Sequence, residues 1–212
     1  MNSFSIDVKS PEILENFFVP GVKFSCRLIV SGDENKLLPN EFINSHKYSL
    51  KVRQSSGAGR DLARDLLQLS GFNRLAIPKL ASGAPSWPYG IVGSIAHDDE
   101  YAIVAIASRS LMKSIGIDIE RSEPLPIEYT SLIAAVGEES IISSNPLYSL
   151  LFFTIKEAVY KVLNPLDGIF LDLQDICIDL KNKNATVSYG KVVNFDYLIG
   201  SHIIAFAYIR ED

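Results

Sequence analysis

Gly116-Ile117-Asp118-Ile119-Glu120 alternates apolar and acidic side chains. On a β-strand, residues two apart share a face, so Ile115, Ile117 and Ile119 are expected to pack inward while Asp118 and Glu120 point together to the other side. Two like charges held that close repel. A hard divalent cation would offset them, and Mg²⁺ typically takes one or two carboxylates together with phosphate oxygens and waters. An amphipathic strand with a solvated acidic face would show the same alternation. A second piece follows in Phe153-Thr154-Ile155-Lys156-Glu157-Ala158-Val159-Tyr160-Lys161. On a helix Glu157 and Lys161 are i,i+4 neighbours. They read either as a surface ion pair worth a few tenths of a kcal/mol, or as a third metal carboxylate with a cation aimed at a phosphate beside it.

Other reactive residue types are scarce. No Gly-x-Ser-x-Gly elbow or catalytic cysteine context occurs. Cys26 and Cys177 lie far apart and read as reduced, mostly buried thiols rather than a disulfide or a zinc site. His97 follows Gly93-Ser94 and stands at a strand boundary, where it could serve structure or chemistry; His46 and His202 read as structural or exposed. Arg60 is expected in the first turn of a helix, a natural place for a phosphate, whereas Arg64 is expected to pair with Asp61 or Asp65. Glu138 and Glu139 read as a helix-terminus feature.

The elements that must position these residues follow from periodicity and turn chemistry. Residues 22–30 read as a strand and residues 59–70 as a helix, with Leu62, Ala63, Leu66, Leu67 and Leu69 largely on one face and Gly71 as its stop. Pro78, Gly83, Pro85, Pro88, Gly90 and Gly93 make residues 78–93 a shaped loop. Strands are expected at 101–108 and 114–120, a helix at 149–163 stopped by Asn164-Pro165, and closing strands near 174–180, 185–188 and 202–209. His97 precedes one apolar strand and His202 opens another, a weak symmetry that suggests two related α/β lobes meeting near residues 109–114. The division is thus 1–112 for a first lobe and 113–212 for a second.

The 212 residues carry 47% hydrophobic and 21% charged side chains, an ordinary globular composition. A net charge of −5 gives bulk nucleic-acid binding no support, although Lys47, Lys51, Arg53 and Arg60 stand against only Glu41 within residues 41–60. No basic start followed by an apolar stretch opens the chain, and no apolar run reaches the ~20 residues of a membrane-spanning helix. A cytoplasmic protein is therefore expected.

The two acidic pieces, in this order and about 37 residues apart, are more specific than either alone. Gly-Ile-Asp-Ile-Glu followed by Phe-x-x-Lys-Glu-Ala-x-x-Lys resembles the signature of the 4'-phosphopantetheinyl transferases. Gly93-Ser94-Ile95-Ala96-His97, Pro85-Ser86-Trp87-Pro88-Tyr89-Gly90 and Gly59-Arg60-x-x-Ala63 extend the likeness, in the manner of the enterobactin/surfactin-type branch, over roughly residues 50 to 170. The resemblance implies two similar pseudo-symmetric α/β lobes of α+β class with the active site between them, and a monomer. It also implies transfer of the phosphopantetheine arm of coenzyme A to a serine of an apo peptidyl, aryl or acyl carrier protein. Asp118, Glu120 and Glu157 would hold Mg²⁺, or Mn²⁺, against the pyrophosphate. His97, Lys156 and Lys161 would contact phosphates, Ser94 would join them on coenzyme A, and Arg53, Arg60 and the loop around Lys79 would reach the 3'-phosphate and adenine. The catalytic roles would fall to Glu157, Lys161 and His97. Ala96 departs from the usual Ser or Thr before the histidine, Thr154-Ile155 replaces Ser-Ala, and Gln54-Ser55-Ser56 departs from the usual acidic and apolar residues. Two other readings use the same residues: a Mg²⁺-dependent phosphodiesterase or pyrophosphatase acting on coenzyme A, and a non-catalytic module that binds coenzyme A or a carrier.

Overall fold

The computed structural model describes residues 19–41 and 47–211; expectations for the first 18 residues and for His46 lie outside them. Strand β1 (Lys23–Leu28) leads to helix α1 (Leu50–Leu69), then β2 (Ile91–His97), β3 (Tyr101–Ser108) and β4 (Met112–Arg121). Two single-turn helices, α2 (Thr130–Ile133) and α3 (Glu139–Ile142), precede the long α4 (Tyr148–Asp167), and β5 (Ile176–Asp179), β6 (Asn184–Val187), β7 (Val192–Ile199) and β8 (His202–Arg210) complete the chain. The strands form an antiparallel three-stranded sheet ordered β1-β3-β2 and an antiparallel five-stranded sheet ordered β4-β8-β7-β6-β5.

The expected symmetry has a topological form. In the first sheet β1 is followed by α1, and the last strand, β3, lies between β1 and β2. In the second, β4 is followed by α4, and the last strand, β8, lies between β4 and β7. The β5–β6 hairpin is the extra part of the second lobe. β7 is not among the strands expected from sequence, because Asn194 and Asp196 interrupt its apolar pattern on the open face.

Three apolar clusters hold these layers. Ala58, Leu62, Leu66 and Leu67 of α1 pack on Ala102, Val104 and Ile106 of β3. Phe152, Ile155, Val159 and Val162 of α4 pack on Val193, Phe195, Ile203 and Ala205. Between the sheets, Ile115, Ile117 and Ile119 meet Phe24, Ile103, Ala105 and Phe206. Burying such side chains contributes roughly 1.5–3 kcal/mol each before entropy is counted. Because β4 is covered on both faces, the isoleucines enter the interlobe core while Asp118 is forced into a buried position on the α4 side. A solvated acidic face is therefore excluded.

Both long helices differ from expectation at one end. α1 starts at Leu50, capped by Ser49, whose Oγ accepts the Val52 N–H at 3.3 Å. Its first half carries no apolar stripe because small residues face the 30–41 segment there. A Cβ on Gly57 would lie 1.9 Å from the Asp33 carbonyl oxygen. Arg60 accordingly sits about three turns into the helix, not in its first turn, and the helix-terminus argument for phosphate binding at Arg60 falls. α4 runs through Pro165 for most of a further turn and ends at Gly168, which adopts φ 63° and donates its N–H to Asn164 O. A proline in the last turn removes one donor without interrupting the helix that precedes it.

Two smaller expectations are also corrected. Arg64 keeps the expected pair with Asp61 only at 3.9 Å; it is buried and donates chiefly to both Glu41 oxygens at 2.8 Å and to Lys36 O, while Asp65 is held by Arg74. Cys177 is exposed; Cys26 is partly buried, and burial, with the charge of Asp98, pushes its thiol up to about 12. No helix among the described residues is long and apolar enough to cross a membrane.

Candidate active site between the lobes

Gly116 brings the acidic strand and the second helix together. A Cβ there would lie 2.0 Å from the Ala158 carbonyl oxygen, so only glycine lets α4 approach β4 this closely. That approach sets Lys161 beside Asp118. Its Nζ donates to Asp118 Oδ1 at 2.6 Å and to Ile117 O at 3.2 Å. From the first lobe, Ser94 on the edge strand β2 accepts the Ile117 N–H at 3.1 Å, so the backbone next to Asp118 is pinned by both lobes.

The electrostatics are those of crowded negative charge with one nearby cation. Burial raises the Asp118 carboxyl above its usual range, and Lys161 only partly offsets it. Glu120 is pushed up to about 7, by burial first and then by the charges of Asp118, Asp98 and Glu157. Glu157 is likewise raised by burial and by Asp118. The imidazole of His97 keeps solvent contact at the end of β2, yet its crowded surroundings and then Lys161 lower its pKa. Asp118 Oδ2 is buried and has no hydrogen-bond partner among the described residues.

An unpartnered carboxylate oxygen and mutually raised carboxylates fit a hard divalent cation, whose ligands are oxygen donors of this kind. As they stand, no three His, Cys, Asp or Glu side chains among the described residues are gathered closely enough to form a metal site. The positive charge at Asp118 comes from Lys161 instead.

Two cavities flank this point. The larger, about 490 Å³, is lined by Ser94, Glu157, Lys161, Trp87, Tyr160 and Arg109, among others. The smaller, about 290 Å³, is lined by Arg53, Arg60, Lys79 and His97 together with Glu41 and Tyr48. They share Gly83, Pro85 and Ile95, so the Pro-rich loop and β2 form a common wall. Asp118 and Glu120 line neither cavity. Arg60 is held in place by bonds to Ile77 O at 3.0 Å and Ser56 Oγ at 2.5 Å. Arg53 Nε is buried without a partner among the described residues.

Lys156 requires a correction. Its side chain is fully buried on the opposite face of α4, where Nζ donates to Glu138 Oε2 at 2.5 Å and Ile133 O at 2.6 Å. Glu138, read from sequence as a helix-terminus feature, also accepts the N–H groups of Ala135 and Ile178. The pair ties the 133–138 loop to β5 and α4, and Lys156 reaches no cavity wall. Arg109, Tyr160 and Glu41 also line the cavities, at positions that no motif marks as a site in the sequence. Tyr160 is legible from the helical spacing, since it lies three residues after Glu157 on the same face of α4; Glu41 is not, because it reaches its cavity by tertiary packing.

Residues 39–107 match the family model of the 4'-phosphopantetheinyl transferase N-terminal domain, and residues 114–207 match that of the 4'-phosphopantetheinyl transferase superfamily. The 4'-phosphopantetheinyl transferase Npt of Nocardia iowensis is 30% identical over 181 residues, covering 84% of this chain and 81% of that protein. The chain belongs to the 4'-phosphopantetheinyl transferase family. Two further phosphopantetheinyl transferases are similar to it. Svp of Streptomyces mobaraensis is 33% identical over 99 residues, 44% of this chain and 40% of Svp. PptT of Mycobacterium tuberculosis is 30% identical over 146 residues, 67% of this chain and 64% of PptT. The protein is thus an enzyme, a phosphopantetheinyl transferase of α+β fold.

Proposed function

We propose that this phosphopantetheinyl transferase takes coenzyme A as donor and the serine of an apo carrier protein as acceptor, working as a monomer on peptidyl or aryl carriers of non-ribosomal peptide or siderophore synthesis, or on polyketide carriers. The observation that carries this reading is the Lys161–Asp118 contact at 2.6 Å, with Lys161 on the wall of the larger cavity, which residues of both lobes line. Arg53, Arg60, Lys79 and His97 supply the cationic and hydrogen-bonding wall suited to the 3'-phosphoadenosine end. The larger cavity, with Ser94, Lys161 and Glu157 on its wall, suits the pantetheine end.

The carrier's serine oxygen attacks the phosphorus on the pantetheine side of the pyrophosphate. A P–O bond forms there, the anhydride P–O bond breaks, and adenosine 3',5'-bisphosphate leaves. Phosphoryl transfer of this kind needs positioning and charge neutralisation more than covalent chemistry from the enzyme. Lys161 offsets the charge growing on the leaving group. Glu157, whose pKa is raised by burial and by Asp118, accepts the serine proton. His97 donates a hydrogen bond to a phosphate oxygen. A Mg²⁺ or Mn²⁺ ion held by Asp118, Glu120 and Glu157 would supply electrostatic neutralisation of the pyrophosphate oxygens.

Intact-mass spectrometry of an apo peptidyl carrier protein, incubated with this enzyme, coenzyme A and Mg²⁺ beside a chelated control, tests the reading. The expected result is a metal-dependent gain of one phosphopantetheine. Cleavage of coenzyme A with an unlabelled carrier would overturn it in favour of a hydrolase.

A further inference from the structure

His202 opens β8 in the second lobe, yet its ring is buried against the first. Its Nε2 lies 2.9 Å from Asp98 Oδ2, and the two side chains are 5% and 6% exposed. The ring packs edge-on to Tyr101, with centroids 5.0 Å apart, and Nδ1 lies 3.1 Å from Ser201 Oγ.

Asp98 sits in the turn that joins β2 to β3, directly after His97. Its Oδ1 accepts the N–H groups of Glu100 and Tyr101 at 2.7 and 2.6 Å, and its own N–H donates to Tyr101 O. One oxygen therefore closes the turn of the first lobe while the other faces a residue of the second. Asp98 follows His97 directly, so any shift of this turn moves the backbone from which the His97 ring projects.

A second contact lies beside the first. Arg121, at the end of β4 and paired in register with His202, donates to Glu100 of the same turn at 3.1 Å. That exposed ion pair is weak on its own. The buried contact is not equivalent: Asp98 Oδ2 and His202 Nε2 have no hydrogen-bond partner among the described residues, so each has only the other's approach at 2.9 Å to offset its burial. An acid sealed from water without even that contact is costly. We propose that His202 is a positioning residue, acting through Asp98 to lock the β2–β3 turn onto β8 and so to hold His97 at the mouth of the cavity against the lobe that carries Lys161 and Asp118.

The inference rests on the assignment of His97 to coenzyme A under the proposed function. His202→Phe keeps a ring against Tyr101 and removes the nitrogen facing Asp98, while His202→Gln restores a nitrogen at similar reach. Steady-state kinetics on apo carrier are expected to show KM for coenzyme A raised ~10-fold in His202→Phe, the scale of one lost hydrogen bond to a charged group, with kcat changed less and largely rescued by Gln. His97→Ala alone is expected to raise KM by a similar factor, and adding His202→Phe to it is expected to change little more, because both act on one contact. Additive effects, or kinetic constants per folded molecule unchanged in His202→Phe, would overturn the proposal. Should the Phe variant not fold, His202→Asn shortens the reach while leaving an amide near Asp98. An intermediate KM then supports the link and a wild-type KM overturns it. A wild-type KM in His97→Ala is a distinct failure, which removes the coenzyme A assignment itself.

Discussion

Gly116 on β4 and Ala158 on α4 approach so closely that a Cβ at Gly116 would stand 2.0 Å from the Ala158 carbonyl oxygen. The contact is backbone to backbone, so neither side can turn aside. Gly116→Ala is expected to push α4 from β4, costing about 1–3 kcal/mol of stability as overpacking does. It is also expected to lengthen the Lys161–Asp118 contact and lower kcat/KM. Thermal unfolding and transfer kinetics check the two together. A variant with native Tm and native rate would show that the helix moves without cost.

Lys161→Ala removes the cation whose Nζ meets Asp118 Oδ1. Its expected effect is on kcat, by about 2–4 kcal/mol of lost transition-state stabilisation. Steady-state constants at saturating coenzyme A decide it, since a change confined to KM would make Lys161 a ground-state binding residue.

Asp118→Asn separates function from stability. Burial already raises the Asp118 carboxyl, and Oδ2 has no partner among the described residues, so removing the charge is expected to leave Tm unchanged or higher. Turnover is expected to fall at least about a hundredfold, as for loss of a preorganised charge. Transfer near the wild-type rate at saturating Mg²⁺ would defeat the metal-site assignment.

Lys156→Met strands Glu138 as a buried unpaired charge and is expected to cost about 3–5 kcal/mol. Adding Glu138→Gln should recover part of that loss, because the uncompensated charge is gone. The turnover of the remaining folded enzyme is expected to stay close to wild type. A selective fall in kcat/KM for coenzyme A would return Lys156 to the binding site.

Asp33 gives the acid limb of stability a residue-level origin. Burial raises its carboxyl, but the hydrogen bonds from Arg27, the Val30 N–H and Lys36 outweigh that and hold it at about 2. The folded pKa lies below the unfolded one, so this stability is fully present above pH ~4 and is lost as pH falls toward ~2. It amounts to ~2 kcal/mol at most. Chemical denaturation of Asp33→Asn between these limits should show a flatter pH dependence than the parent.

The sequence alone carried the family and the α+β class. Alternation places Asp118 and Glu120 on one face of a strand, and helical spacing places Glu157 one turn from Lys161; both are local periodicities, which a chain cannot hide. The paired motifs made the resemblance specific, and the repeated order of strand, helix and strands was visible in outline. What each charged side chain faces was decided by packing. Lys156 and Glu157 are neighbours in sequence, yet a step of about 100° around the helix sends one into the core beside Glu138 and the other to a cavity wall. The start of α1 was hidden because glycine, alanine and serine bury that stretch against the 30–41 segment without an apolar stripe. His202 and Asp98 are over a hundred residues apart, and only the closure of the two sheets on one isoleucine-rich core brings them within 2.9 Å. Periodicity reports which face a residue occupies; which partner waits on that face is set by long-range burial.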